Sequence, residues 1–361
     1  MPIVISIVVP TFKEAGNIPN LARQLQEALR DIEYELLIAD DDSPDDTVEI
    51  CLSLAQEFPL RLIQSSDRPR DLSLSVIDGI VAARGEQILV MDADLSHPPQ
   101  MIPRMLQALA ESPDAFVIGS RYVNEGSFDR DWSLWRFLNS HIATMMARPL
   151  VSCSDPMSGF FLFDRKHIDV DSLRPIGYKI GLEIMVRGTF SSIVELPIQF
   201  KDREVGDSKM NLDQQFKYLR HLRRLYLFRF GSLAEFFHFG LIGASGFLID
   251  IVFYYGLQLA GFSHLVARGI SFWPAVSWNW ILNGKTTFGE RQTRSGIKPW
   301  FELVVASLIS FLINYGLYAW LTTSVVFFAE YRILALVAGI GGASLFNFAA
   351  STLFVYSDKR A

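Results

Sequence analysis

The feature that most constrains this chain is the uneven distribution of its charged residues. Residues 231–361 contain only 14 charged side chains, six acidic and eight basic. Residues 1–230 contain the remaining 25 basic and 33 acidic side chains, a net charge of −8. This partition rules out a wholly soluble protein and a disordered one. It also rules out a protein that coats nucleic acid, because neither part is strongly basic. The sequence therefore predicts a soluble domain joined to a membrane domain.

Four segments after Gly231 are long and apolar enough to cross a bilayer. A hydrocarbon core about 30 Å thick requires about 20 mostly apolar residues per helix. The expected helices cover residues 236–260, 264–288, 303–328 and 333–357. The last two contain no Asp, Glu, Lys or Arg. We therefore predict an all-α transmembrane domain at 232–361.

The basic residues of the C-terminal part indicate its orientation. Arg291, Arg294 and Lys298 lie between the second and third expected helices, and Lys359 and Arg360 follow the fourth. Loops on the cytosolic side of membranes carry an excess of Lys and Arg. We therefore expect an integral, multi-pass membrane protein whose N-terminal domain is cytosolic, in the cell membrane if the organism is a prokaryote.

Residues 210–231 connect the two parts and mix basic with apolar side chains. The segment contains five basic residues and one acidic residue, namely Lys217, Arg220, Arg223, Arg224, Arg229 and Asp213. Each basic group near an anionic leaflet is worth about 1 kcal/mol, so we predict an amphipathic helix at the membrane interface. A solvated basic face is the alternative, whereas nucleic-acid binding is disfavoured by the adjoining membrane helix.

Short apolar runs alternate with helical patterns in the N-terminal part. Strands are expected at 3–9, 36–39, 60–64, 88–91 and 115–118, with a helix at 18–29 and a Pro-Thr turn at 10–11. This alternation predicts a parallel α/β sheet. Ligands of such sheets bind beyond the carboxyl ends of the strands. Polar clusters follow three of the strands, at 10–14, 40–43 and 92–94.

Asp92 and Asp94 flank one small residue at the end of an apolar strand. This spacing can bring two hard oxygen ligands to one divalent cation, Mg²⁺ or Mn²⁺, which substrate phosphates then complete. Two acidic residues one apart also occur on ordinary surfaces, so the pair gains meaning only from its context. A glycine-rich phosphate loop is absent from the sequence, which disfavours an NTPase or a dehydrogenase.

Several motifs follow one another in the N-terminal part. They are IVVPTFKE at 7–14, DDDSPDDT at 40–47, MDADLSHPP at 91–99, GSRY at 119–122, WSLWR at 132–136, SGF at 158–160, ELPI at 195–198 and DR–GDSK within 202–209. In this order they resemble a family 2 glycosyltransferase of GT-A fold, in the dolichol-phosphate mannose synthase branch. The resemblance covers about residues 3–210 and implies a GT-A (Rossmann-like) catalytic domain at 1–209. The four expected membrane helices resemble a GtrA-like domain.

The resemblance implies roles for individual residues. The donor nucleotide sugar is expected to bind Pro10, Phe12, Glu14, Asp40 and Asp41, with Arg203 and Lys209 on a loop that closes over it. Metal and donor diphosphate are assigned to Asp92 and Asp94, and weakly to Ser96, where some relatives have a metal-binding Gln. The acceptor phosphate is assigned to Arg121, Arg136 and Ser140. The implied catalytic residues are Asp92, Asp94, Arg121 and Arg136, and each could instead form an ordinary surface salt bridge.

The resemblance also implies a reaction. It is the inverting, metal-dependent transfer of mannose from GDP-mannose to a polyisoprenyl (dolichyl-type) phosphate at the cytosolic membrane face, with Mg²⁺ or Mn²⁺ as cofactor and no nucleic acid as partner. One alternative is the same transfer from UDP-glucose or another UDP-sugar. Another is a transporter of lipid-linked sugars with a degenerate transferase domain. Asp71-Leu72-Ser73 stands where the family has Gly-Leu-Gly, and Glu125-Gly126 stands where it has Gly-Gly. Both departures affect the expected geometry of the acceptor loop.

Overall fold

The computed structural model describes residues 5–65, 68–123, 127–128, 134–200, 212–289 and 298–356. The chain divides into two compact units, Met1–Arg229 and Phe230–Ala361.

Unit 1 is built on a mixed β-sheet. Its strands are β1 (Ile5–Thr11), β2 (Tyr34–Asp40), β3 (Leu60–Gln64), β4 (Gln87–Val90), β5 (Ala115–Ser120), β6 (Ser127–Phe128), β7 (Phe161–Asp164), β8 (Ser192–Pro197) and β9 (Gln199–Phe200). The main sheet has the order β3-β2-β1-β4-β7-β5-β8, and β6 pairs with β9 separately. Only β7 runs antiparallel to its neighbours in the main sheet among the described strands.

Helices cover both faces of this sheet. They are α1 (Ile18–Ala28), α2 (Thr47–Leu54), α3 (Leu72–Ala82), α4 (Ile102–Glu111), α5 (Leu134–Ala147), α6 (Ile180–Arg187) and α7 (Leu212–Phe230). One apolar core lies between the sheet and α3, α6 and α7, and a second lies between the sheet and α1, α2 and α4. Val8 faces the first core, while Ile7 and Val9 face the second. Because both faces of β1 are buried, its sequence is a continuous apolar run.

The predicted strands are present, but the Pro-Thr turn expected at 10–11 is wrong. Pro10 and Thr11 are the last residues of β1 and pair with Ala39 and Asp40 of β2. The neighbouring strand β4 has already ended at Val90, opposite Val8. On that side no strand lies opposite Pro10 to which a backbone N–H would have to donate. A proline, which has no N–H, is therefore accepted there.

Unit 2 is helical. Its helices are α8 (Ser232–Leu259), α9 (His264–Lys285), α10 (Lys298–Ser324), α11 (Val326–Glu330) and α12 (Arg332–Ala350), followed by a π-helical turn, Ser351–Val355. The helix expected at 303–328 starts earlier, at Lys298, and is broken at Val325, after which the short helix α11 begins.

Three of the described helical segments of unit 2 are long and apolar enough to cross a membrane. They are Ser232–Leu259, Lys298–Ser324 and Val337–Val355. The intervening α9 includes Pro274 and ends at Lys285. Within the unit, the carboxylate of Asp250 on α8 is buried and accepts a 2.6 Å hydrogen bond from the Ser271 hydroxyl of α9.

Candidate active site

Unit 1 contains a cavity of about 700 Å³ at the carboxyl ends of β1, β2 and β4. Eight residues predicted from the sequence line it: Pro10, Phe12, Glu14, Asp41, Asp92, Asp94, Ser96 and Arg121. The parallel strands bring these residues to one edge of the sheet although up to 111 positions separate them in the chain. Apart from Asp40, the predicted residues of the donor, metal and acceptor sites whose side chains the structure describes thus share one cleft.

The other predicted site residues do not line this cavity or lie outside the described positions. Asp40 is fully buried beneath the cleft, where one of its carboxylate oxygens accepts a 3.0 Å hydrogen bond from the Ser43 backbone N–H. Arg136 and Ser140 belong to α5, but their side chains are outside the described part of the chain. Arg203 and Lys209 also lie outside the described residues.

The three loops that carry the cluster share an unusual backbone feature. Lys13 follows β1, Asp42 follows β2 and Leu95 follows β4, and their φ angles are 61°, 59° and 60°. Residues other than glycine pay about 1–2 kcal/mol to enter this left-handed region. Such conformations concentrate at functional sites, where the surrounding structure holds them in place.

The loop that carries Asp92 and Asp94 is held by a buried histidine. The backbone N–H of Asp92 donates a 3.0 Å hydrogen bond to Nδ1 of His97, and this imidazole stacks on Phe160 at 5.2 Å. Burial lowers the pKa of His97, against the opposing effects of Asp92 and Asp94, so the ring stays neutral and Nδ1 can accept. The sequence analysis did not assign His97; its only signal was the unusual His-Pro-Pro ending of the motif.

The chemistry of this loop fits a divalent cation. Asp92 and Asp94 both face the cavity, and Ser96 places beside them a buried hydroxyl oxygen that has no hydrogen-bond partner among the residues the structure describes. Carboxylate and hydroxyl oxygens are ligands that Mg²⁺ and Mn²⁺ prefer. No group of three or more His, Cys, Asp or Glu side chains suited to a metal occurs among the described residues. A bound cation would therefore need substrate or water oxygens to complete its coordination.

Two arginines that the sequence analysis did not single out lie at the Phe12 side of the cleft. The Arg70 guanidinium lies 4.5 Å from the centroid of the Phe12 ring, a cation–π distance. Arg68 forms ion pairs with Asp41 at 3.1 Å and with Asp78 at 2.7 Å. Asp41 is therefore held in place by a cation, and Phe12 carries a cationic cover.

Arg121 is bound to a buried carboxylate that the sequence did not reveal. Its Nε and Nη2 donate to the two oxygens of Asp155 at 2.7 and 2.8 Å, and its backbone N–H donates to the same group at 3.1 Å. Burial lowers the pKa of the Arg121 guanidinium, but the hydrogen bonds and the charge of Asp155 outweigh burial and raise it. Arg121 thus faces the cleft as half of a neutral pair.

Helices α6 and α7 close another side of the cleft. Lys179, directly before α6, and Gln214 and Lys217 of α7 line the cavity. The two helices are joined by a hydrogen bond of 2.7 Å between His221 Nε2 and a carboxylate oxygen of Glu183, both fully buried. Burial raises the pKa of Glu183, yet the bonds from His221 and from the Arg174 backbone lower it overall.

Comparisons with known proteins agree with this arrangement. Residues 6–170 match the family described as glycosyl transferase family 2, and residues 238–356 match the GtrA/DPMS transmembrane domain. The dolichol-phosphate mannosyltransferase of Pyrococcus furiosus is 33% identical over 93% of this chain and 94% of its own. That of Mycosarcoma maydis is 39% identical over 63% of this chain and 81% of its own.

A solved structure, glucosyl-3-phosphoglycerate synthase from Mycobacterium tuberculosis with Mn²⁺ and UDP, is 19% identical and covers 63% of this chain and 80% of its own, at a TM-score of 0.47. The family match in unit 1, the mixed seven-stranded sheet and the apolar helices of unit 2 confirm the predicted fold class. The transmembrane match and the three apolar helices make this a membrane protein. The chain belongs to the dolichol-phosphate mannosyltransferase family, as a family 2 glycosyltransferase joined to a GtrA/DPMS transmembrane domain.

Proposed function

We propose that this glycosyltransferase passes mannose from GDP-mannose to the phosphate of a polyisoprenol, with inversion at the anomeric carbon. The names of the curated relatives support the sugar and the lipid. The observation that carries the proposal is the single cleft that holds Asp92, Asp94 and Arg121 together. One cavity thus offers oxygen ligands for a cation near the donor and a guanidinium near the acceptor.

The donor side of the proposal rests on residues of the three strand-end loops. Pro10, Phe12 and Glu14 would bind the nucleoside, with Asp41 beside them and Asp40 supporting the loop from below. Asp92 and Asp94, with the Ser96 hydroxyl, would hold Mg²⁺ or Mn²⁺. When bound, this cation neutralises charge on the diphosphate leaving group. Arg203 and Lys209 would lie on a loop that closes over the bound donor.

The acceptor side needs no general base. A phosphate monoester with a second pKa of about 6 is mostly dianionic at pH 7, so its oxygen is already a nucleophile. Arg121, together with the proposed partners Arg136 and Ser140, would orient that oxygen toward the face of the sugar opposite the departing diphosphate. Arginine suits this task because its planar fork contacts two phosphate oxygens at once. Catalysis then consists of positioning and charge stabilisation.

We infer that residues 1–209 form the cytosolic catalytic domain, that 210–231 lie at the membrane interface and that 232–361 cross the membrane four times. Helix α7 supports the interfacial role because Phe216, Leu219 and Phe228 are exposed although they are large and apolar. Its exposed basic residues include Arg220 and Arg229. Apolar and basic groups together on the exposed side of one helix are typical of peripheral membrane binding.

Transfer of radiolabelled sugar tests the proposal. Purified full-length protein is supplied with a short polyprenyl phosphate, Mg²⁺ or Mn²⁺, and GDP-mannose, UDP-glucose or UDP-N-acetylglucosamine in parallel. We expect glycolipid only with GDP-mannose, and its loss on chelation or in Asp94→Ala. Labelled lipid from UDP-glucose alone would establish the UDP-sugar alternative, and the absence of any product with every donor would favour the transporter.

A further inference from the structure

A dianionic acceptor requires positive charge in the cleft, and Arg121 supplies little of it alone. Its guanidinium forms a bidentate ion pair with Asp155, whose side chain is fully buried. Opposite charges held this close cancel most of each other's field a few ångströms away. A phosphate that meets the Arg121–Asp155 pair therefore finds hydrogen-bond donors but almost no net charge.

Lys179 is a cation of a different kind in the same wall. Its Nζ donates a 3.0 Å hydrogen bond to the carbonyl oxygen of Met157 and lies 4.7 Å from the centroid of the Tyr178 ring. Among the described residues no carboxylate lies within 4.0 Å of this Nζ, and the carbonyl accepts only one of its three protons. Lys179 thus has hydrogen-bonding capacity that its described neighbours do not use, and its ammonium group has no direct ion-pair partner among them.

The energetics of Lys179 agree with a site that awaits an anion. Burial and then the charge of Arg121 lower the pKa of Lys179 to about 8, against the opposing effects of Asp155 and Asp92. A buried cation without a counter-ion is costly, and the cost falls when an anion binds beside it. Lys179 lines the same cavity as Arg121 and Asp92.

We propose that Lys179 binds the phosphate of the lipid acceptor and supplies the net positive charge that the Arg121–Asp155 pair lacks. This inference rests on the proposed function, since it concerns the same cleft. Lys179 is not among the residues to which the sequence motifs assign a binding role. The neutral pair would orient the phosphate. Lys179 would provide the electrostatic attraction that makes the site prefer a lipid phosphate to the uncharged lipid alcohol.

The test measures acceptor binding without any donor. Farnesyl phosphate is titrated into the purified full-length protein, with farnesol as the uncharged control ligand. The variants are Lys179→Met, which keeps the aliphatic length, Lys179→Arg, which keeps the charge, and Lys166→Met as the matched control. Lys166 is exposed and makes its ion pairs with Asp114 and Asp164, away from the cavity.

We expect Lys179→Met to weaken farnesyl phosphate binding by about tenfold or more, the usual worth of a hydrogen bond to a charged group. Lys179→Arg should retain most of the affinity, and Lys166→Met all of it. Farnesol binding and Mn²⁺-dependent binding of GDP-mannose should change by less than about threefold, a difference of under 1 kcal/mol. The melting temperature of Lys179→Met should stay equal or rise, because the variant removes a costly buried cation. Loss of a merely structural lysine would lower the melting temperature.

Unchanged affinity of folded Lys179→Met for farnesyl phosphate would overturn the inference. So would a loss confined to GDP-mannose, since the lysine would then contact the donor diphosphate. Failure of the proposed function looks different: the wild type would bind farnesyl phosphate, with the Lys179 dependence intact, yet transfer no mannose. If the wild type binds no farnesyl phosphate, the acceptor assignment falls together with Lys179.

Discussion

The ion pair between Arg121 and Asp155 should be among the most sensitive points of unit 1. Asp155→Asn keeps the shape of the side chain and removes its charge. The Arg121 side chain, only 11% exposed, would then retain a positive charge without its counter-ion. Loss of one partner of a buried ion pair costs about 3–5 kcal/mol. Coulomb's law gives about 4 kcal/mol for charges about 4 Å apart at an effective dielectric constant of about 20.

The remaining amide oxygen of Asp155→Asn can still accept one hydrogen bond, so we expect the lower end of this range, about 3 kcal/mol. For a domain of this size each kcal/mol lowers the melting temperature by about 2–4 °C, which gives a decrease of about 6–12 °C. Tryptophan fluorescence of the full-length protein in detergent, heated at one fixed rate, measures the change.

Asp114→Asn is the matched control. Asp114 is 60% exposed and forms an ion pair with Lys166 at 3.4 Å, and one of its carboxylate oxygens lies 3.1 Å from Nε2 of His167. Exposed pairs of this kind contribute about 0–1 kcal/mol, so this variant should melt within about 4 °C of the wild type. If both variants melt at the same temperature, the buried Arg121–Asp155 pair stabilises the fold no more than an exposed pair does.

Three further predictions concern other parts of unit 1. Glu183→Gln should destabilise the protein by about 3 kcal/mol at pH 7 in urea unfolding. Because folding lowers the pKa of Glu183, the ionised carboxylate stabilises the fold above its ordinary pKa of 4.5, and the difference in stability between variant and wild type should shrink as the pH falls below 4.5. Gly79→Ala should cost about 1–3 kcal/mol, because the added Cβ would collide with Val8, and an unchanged urea midpoint would contradict this. Arg70→Ala should weaken GDP binding about two- to fivefold in calorimetry, because the guanidinium lines the cleft and fixes the Phe12 ring that is proposed to bind the nucleoside, without changing farnesyl phosphate binding.

Sequence patterns predicted the part of the site that follows directly from strand order. Parallel neighbouring strands must end at the same edge, so the clusters after β1, β2 and β4 had to meet there. The left-handed turn at Leu95 and the extension of β1 through Pro10 depend on neighbouring strands and left no local signal. Patterns within a segment therefore located the acidic loops, although they did not describe their geometry.

The partners of the charged residues could not be predicted, since they lie far apart in the chain. Asp155 is 34 residues from Arg121 and His221 is 38 residues from Glu183. Neither pair has a sequence spacing that marks it, because its geometry is set by the sheet and by the packing of α6 and α7. The sequence assigned Arg121 to the acceptor phosphate, but it did not identify Asp155 as the partner of its guanidinium.

That difference changes how the cleft is understood. An isolated arginine would attract any anion, including the diphosphate of the donor, and would not separate the two phosphate-bearing substrates. An arginine neutralised by Asp155 contributes direction through its hydrogen bonds and leaves attraction to other groups. On the proposed donor side, the acidic Asp92 and Asp94 would repel phosphates until a cation bound between them and the substrate. Attraction for the donor would then depend on a metal and attraction for the acceptor on Lys179, so each substrate would be held by its own charge in a shared cavity.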